Sequence, residues 1–244
     1  MRRYADLHIH HSLFDKDLPE RIELIKKSGV DYVGVALQRA ESTSLTRECY
    51  QALKQSGLDP ISRVDLHPKN KNELLSLLRR FRQRFEIIAV KCLNNDVALT
   101  AARDRRVDII FFNLDNPRIR FNTAIAHLCN CSLEVNMKNI VQRPSYHGVL
   151  GRVGGEVQTA LEHKIPLIIS SGASEIFEIK PPQQMASLGQ IFGASKEGSL
   201  KMVSDNPITV IERNRRKHEG SQIFEGVEII RRSKQSKGSI GDTS

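Results

Sequence analysis

Ala5-Asp6-Leu7-His8-Ile9-His10 opens the chain as an extended, half-apolar run, and the same kind of run returns six more times. Side chains alternate faces along a strand, so Asp6, His8 and His10 are expected on one face with the spacing of metal ligands. The later runs are Tyr32–Ala36, Pro60–Val64, Ile87–Lys91, Asp108–Phe112, Ser132–Asn136 and Pro166–Ser170. Most are followed by a helical pattern, as in parallel βα units. Several are apolar on both faces, which suits strands covered outside by helices and filled inside by one another. The rhythm predicts an α/β fold: a distorted TIM-like (β/α) barrel of about seven parallel strands with extra C-terminal helices.

The intervening segments carry helix signals. Asp17 is placed to cap, Pro19 suits a first turn, and Gly29 ends the unit. Leu74, Leu77, Leu78, Phe81 and Phe85 form one apolar stripe, with Arg79, Arg80, Arg82 and Arg84 on or beside the polar face. After the seventh run helices follow each other directly. Met185, Leu188, Ile191 and Phe192 are expected on one apolar face, and a further helix starts near Asn206-Pro207. The eighth unit is therefore irregular or absent, with Ile223–Ile230 as a candidate closing strand. Residues 1–230 read as one barrel domain, and 231–244, basic and without a core-forming pattern, as a disordered tail.

A composition of 39% hydrophobic and 27% charged residues is that of a globular chain. No apolar run approaches the roughly 18 residues of a membrane span. The amino terminus lacks a signal-peptide pattern, so a cytoplasmic location is expected. Cys49, Cys92, Cys129 and Cys131 read as reduced and structural. Lys and Arg outnumber Asp and Glu by 37 to 28, and the resulting net charge of +9 points to a polyanion, nucleic acid first.

A hydrolytic metal site needs further His, Asp or Glu from later strands, at the carboxyl ends where barrels hold their chemistry. Inspection of those ends finds Gln38, Arg39, Asp65, His67, Lys91, Asn94, Asn113, Asp115, Glu134 and Asn136. Of these only Asp65, His67, Asp115 and Glu134 suit a metal. The seventh run ends in Ser170-Ser171-Gly172-Ala173-Ser174, with hydroxyls in place of ligands. Asp6, His8, His10 and His67 are thus vestigial candidates, and no catalytic residue is assigned. Gly148, Gly151, Gly154 and Gly155 read as a turn into a helix rather than a phosphate loop. No nucleotide cofactor is indicated.

The opening Asp6-Leu7-His8 resembles the polymerase and histidinol phosphatase superfamily. Later blocks resemble a non-hydrolytic branch of it, protein component three of archaeal ribonuclease P and the eukaryotic thirty-kilodalton subunit. These blocks are Val107-Asp108-Ile109-Ile110, Ile168-Ile169-Ser170-Ser171-Gly172-Ala173, Pro181-Pro182 with Leu188-Gly189, and Asn206-Pro207 with Ile211 and Asn214. The resemblance implies a distorted seven-stranded barrel that assists removal of the 5′ leader from precursor tRNA. It implies ribonuclease P RNA, precursor tRNA and a Pop-type protein subunit as partners. No cofactor would be bound by this chain, and magnesium would serve the catalytic RNA.

Phosphate contacts of that kind need exposed arginines. Four basic groups are candidates for RNA binding: Arg79, Arg80, Arg82 and Arg84; Arg103, Arg105 and Arg106; Arg118 and Arg120; and Arg213, Arg215, Arg216 and Lys217. Aromatics at 5%, with no Trp, make base stacking a minor contribution. The competing reading is a metal-dependent phosphoesterase acting through Asp6, His8, His10 and His67.

Overall fold

A computed structural model describes residues 2–37, 44–142, 146–218, 222–224 and 227–228. Seven parallel strands, β1 (Ala5–His10), β2 (Tyr32–Leu37), β3 (Asp59–Leu66), β4 (Ile87–Cys92), β5 (Ile109–Phe112), β6 (Ser132–Asn136) and β7 (Leu167–Ser170), pair in sequence order. The expected distorted barrel is what forms. Around it lie α1 (Leu18–Ser28), α2 (Ser44–Gln55), α3 (Lys71–Phe81), α4 (Asn95–Arg103), the short α5 (Thr123–Ala126) and α6 (Met137–Val141), and α7 (Tyr146–Glu162). Then come α8 (Pro182–Ile191), α9 (Lys196–Lys201) and α10 (Asp205–His218), followed by a small hairpin of β8 (Gln222–Phe224) and β9 (Val227–Glu228).

Closure is asymmetric. At the carboxyl end β1 and β7 meet through one bridge, Ile9 to Ala173, where the His10 N–H donates to the Ala173 carbonyl at 2.7 Å. At the amino end the gap is filled by the turn before α10. The Met202 and Val203 carbonyls accept from the N–H groups of Ile169 and Ala5, and Asn206 Nδ2 donates to the Leu167 carbonyl. The turn at 202–206 therefore satisfies strand edges that an eighth strand would otherwise cover. Of the expected closing segment, Ile223–Ile230, the described residues do not do this: they lie in β8 and β9, which pair antiparallel with each other in a separate sheet.

The interior is apolar at the amino end, where Ala5, Leu7, Ile61, Ile87, Ile109 and Ile168 meet Val210 and Ile211 from α10. Full burial of a side chain such as Ile211 stabilises by roughly 1.5–3 kcal/mol. Polar latches hold α10 in place. Arg215 forks onto Asp59 at 2.7 and 2.8 Å and reaches Glu86 at 2.8 Å. Arg213 meets Asp108 at 3.0 Å, and Asn214 donates to the Glu86 carbonyl.

Local expectations fail where tertiary contacts intervene. Asp17 adopts a left-handed conformation (φ 46°) and makes no side-chain cap, although Pro19 and Gly29 sit at the ends of α1 as expected. Ile191 is 64% exposed while Met185, Leu188 and Phe192 are buried, because the regular helical repeat carries position 191 off the face that the other three share. Gly148, Gly151, Gly154 and Gly155 lie inside α7, not in a turn before it. The segment 231–244 lies outside the described residues.

β1 is not a regular strand. Its ladder with β2 shifts register between Asp6 and Ile9, and the Leu7 carbonyl crowds β2 at Gly34. A Cβ at position 34 would stand 2.2 Å from that oxygen, so only glycine fits there. Gly34→Ala is expected to cost about 1–3 kcal/mol, as overpacking of a rigid interior does. Urea unfolding monitored by circular dichroism reads this; an unchanged midpoint would show that β1 relaxes without cost.

Candidate functional site

The irregularity in β1 scatters the three residues that simple alternation would align. The Asp6 carboxylate turns to the closing seam, accepting from the Ser171 and His8 N–H groups at 3.1 and 3.2 Å. Burial pushes its pKa up. His8 enters the barrel. His10 reaches the rim, where its Nδ1 lies 2.7 Å from Ser12 Oγ.

At the centre sits Arg63, from β3, with no exposed surface. Its Nε donates to Asp65 Oδ1 at 2.7 Å, and its Nη1 and Nη2 donate to the two Glu134 oxygens at 2.7 and 2.6 Å. Nη1 also reaches the Leu7 carbonyl turned inward by the β1 irregularity, at 3.0 Å. Nη2 donates to His8 Nδ1 at 3.0 Å, and Asn136 Nδ2 approaches the same nitrogen at 3.2 Å. With Nδ1 accepting, the ring proton lies on Nε2, which faces Asp65 Oδ2 at 3.2 Å. Burial opposes the Glu134 charge, yet the guanidinium overcomes it and holds the carboxyl well below the usual carboxylate range.

This arrangement decides what the site can do. Asp65, Glu134 and His8 do converge, as ligands from separate strands would, but on a guanidinium. The carboxylate lone pairs accept from Arg63, and neither nitrogen of His8 offers a free lone pair. Among the described residues no group of three or more His, Cys, Asp or Glu could hold a metal ion. His67 and Asp115 do not join the cluster: His67 stands at the mouth edge-on to Phe111, and Asp115 is in an exposed loop. Arg63 was not among the residues singled out from the sequence. The available signal was a lone cation inside an otherwise apolar strand run.

The four basic groups separate into residues that latch the fold and residues that stand exposed. Arg82 donates to Asp108 at 2.5 Å and to the carbonyls of Phe85, Glu86 and Arg106. Arg106 pairs with Asp104, while Arg213 and Arg215 hold α10. These four serve the fold. Arg79, Arg80, Arg84, Arg103 and Arg105 are exposed where α3 and α4 end, next to the 104–108 loop that Arg82 ties to α3. Arg118 and Arg120 are exposed at the opposite, carboxyl end of the barrel, on a loop that Arg152 holds by four carbonyls. Arg216 and Lys217 are exposed near the end of α10.

Removing the central cation tests the site. Arg63→Met would leave two buried carboxylates without their cation and with only His8 beside them, at a cost of about 3–5 kcal/mol near neutral pH. The pH slopes should then oppose each other. In the wild type the depressed Glu134 pKa gives stability that is present above the ordinary carboxylate range and lost as pH falls below it. In Arg63→Met the unpaired carboxyls have raised pKa values, so stability should increase as pH falls through 7 to 5. Thermal melts from pH 7 down to about 3 check this, with the wild type holding its stability to the ordinary carboxylate range and losing it below; profiles of the same shape would refute the central role of Arg63.

The sequence profile of the family described as RNase P subunit p30 matches residues 3–219. The ribonuclease P protein component 3 of Methanococcoides burtonii is 21% identical over 235 residues, covering 94% of this chain and 95% of that protein. Its counterpart in Methanosarcina barkeri is 23% identical, covering 68% and 71%. A chain in the cryo-EM structure of archaeal ribonuclease P with mature tRNA superposes with a TM-score of 0.80 at 18% identity, covering 95% of this chain and 100% of that one. A Xaa-Pro dipeptidase shares the fold alone, with a TM-score of 0.55 at 8% identity. The profile match runs from the residue before Tyr4 to just past the end of α10, and so takes in the whole barrel, its Arg63 centre and its α10 plug: the chain belongs to the RNase P subunit p30 family.

Proposed function

We propose that this chain is a protein subunit of ribonuclease P that binds and organises the RNA while the RNA itself removes the 5′ leader of precursor tRNA. The observation that carries the reading is the family match over the whole barrel. The Arg63 cluster supports a noncatalytic role, because the groups a phosphoesterase would give to a metal are committed to a guanidinium. On this reading magnesium serves the RNA, the chain binds no cofactor, its partners are ribonuclease P RNA, precursor tRNA and a Pop-type subunit, and it works in the cytoplasm. No described helix is long and apolar enough to cross a membrane.

The RNA face we favour is the one formed by Arg79, Arg80, Arg84, Arg103 and Arg105. Three of them, Arg79, Arg80 and Arg103, stand in the last turns of α3 and α4, where the helix dipole favours a cation. Among the described residues, none of the five has an ion pair to compete with phosphate.

Cleavage of precursor tRNA by ribonuclease P RNA at moderate magnesium, with the Pop-type partner present, should be stimulated by this chain and should not occur without the RNA. Replacing Arg79, Arg84 and Arg103 together with Gln should weaken RNA binding and lower the slope of log K against log salt by roughly 0.7–0.9 per lost contact. Chelator-sensitive cleavage by the chain alone would overturn the subunit reading. An unchanged salt slope would move the RNA face elsewhere.

A further inference from the structure

Above the Arg63 cluster, at the carboxyl ends of the strands, lies a cavity of about 310 Å³. That is the lower end of the range for small-ligand sites, roughly 300–1,000 Å³. Its polar groups sort into two kinds. The carboxylates beneath it are spent: Asp65 and Glu134 accept from Arg63, and Glu178 accepts from Lys138 at 2.8 Å and from the N–H groups of Ser174 and Glu175. The groups facing the cavity include donors without partners. Lys91 is half-buried on β4 and, among the described residues, has neither an ion pair nor a side-chain hydrogen bond. His10 Nε2 is buried without a partner.

The sheet register brings these groups together. Leu66 pairs with Val90 and Lys91 pairs with Phe111, so His67 and Lys91 stand side by side just past the end of the β3–β4 ladder. The Lys91 charge accordingly lowers the His67 pKa, after burial, which is the larger cause. Burial likewise lowers that of His10. Lys138, from α6, completes the rim and also donates to Ser174 Oγ. A half-buried ammonium without a carboxylate and the buried, unpartnered Nε2 of His10 thus line the same cavity.

We propose that the barrel mouth is a binding site for a phosphate group, with the Lys91 ammonium as its charge partner and the His10 and His67 ring nitrogens as further hydrogen-bond partners. Inorganic phosphate and the terminal phosphate of a nucleotide both present the group this chemistry recognises. The site lies at the opposite end of the barrel from the arginine face and does not depend on the ribonuclease P reading.

The test is titration of the full chain, at constant ionic strength, with inorganic phosphate, uridine 5′-monophosphate and uridine, read by thermal shift and 31P line broadening. Saturable binding of phosphate or of the monophosphate, and none of uridine, is expected; comparing the first two identifies the source. Lys91→Gln should weaken binding roughly ten- to a hundredfold, the loss of one charge-assisted hydrogen bond. Lys54→Gln removes the same charge from the far end, at the last turn of α2, and should leave binding unchanged, which separates a site from general attraction to a basic protein. A phosphate affinity that is the same in Lys91→Gln, an equal loss in Lys54→Gln, or no saturable binding of either phosphate compound would overturn the proposal. Should Lys91→Gln fail to fold, His67→Gln carries the test: severalfold weaker binding supports the site, and unchanged affinity overturns it.

Discussion

The buried guanidinium of Arg63 organises the barrel interior. An isolated charge in that position would be prohibitively costly, so its five donors must all find acceptors, and the strands around it are shaped to supply them. β3 gives Asp65, β6 gives both oxygens of Glu134, and β1 gives His8 and the turned carbonyl of Leu7. That carbonyl can turn inward only because β2 carries glycine at position 34. One cation therefore links three strands directly and dictates a residue in a fourth. Asp65, Glu134 and His8 thus converge from three strands on a positive charge that the chain itself supplies.

The two ends of the barrel have different work. The amino end is sealed by α10, whose Val210 and Ile211 fill the opening while Arg213, Asn214 and Arg215 fix the helix to the strand starts. The carboxyl end stays open and polar. Asn136 and Gly172 meet there, Gly172 with a positive φ of 70° and no room for a side chain against the Asn136 amide. That amide in turn faces His8. The sealed end and the open one leave the mouth cavity as the polar opening of the barrel.

The sequence blocks that carry the family resemblance turn out to be structural devices. Asp108 accepts from Arg82, Arg213 and the Ile88 N–H, tying α3, α10 and two strands at one carboxylate. Asn206 stands in for the missing eighth strand, Asn214 latches α10, and Gly189 lets α8 approach Met202 and Ser199. None touches the mouth cavity except through Gly172. In this chain the blocks that carry the family resemblance are thus the devices that close the barrel.

Local sequence determined the strands, their parallel order and most helices, because alternation, apolar runs and caps act over a few residues. It also showed that a hydrolytic ligand set was incomplete, since Ser170 and Ser171 stand where ligands would be needed. Only the tertiary structure decided what fills the centre. Arg63 lies 71 residues from Glu134 and 55 from His8, and no local pattern reports a bond across that distance. The same holds for the arginines: Arg79 and Arg82 are near neighbours in the chain, yet Arg82 meets a carboxylate 26 residues away while Arg79 faces water. Which charge is spent on the fold and which is left for a partner depends on long-range pairing, and that pairing exists only once the barrel has closed.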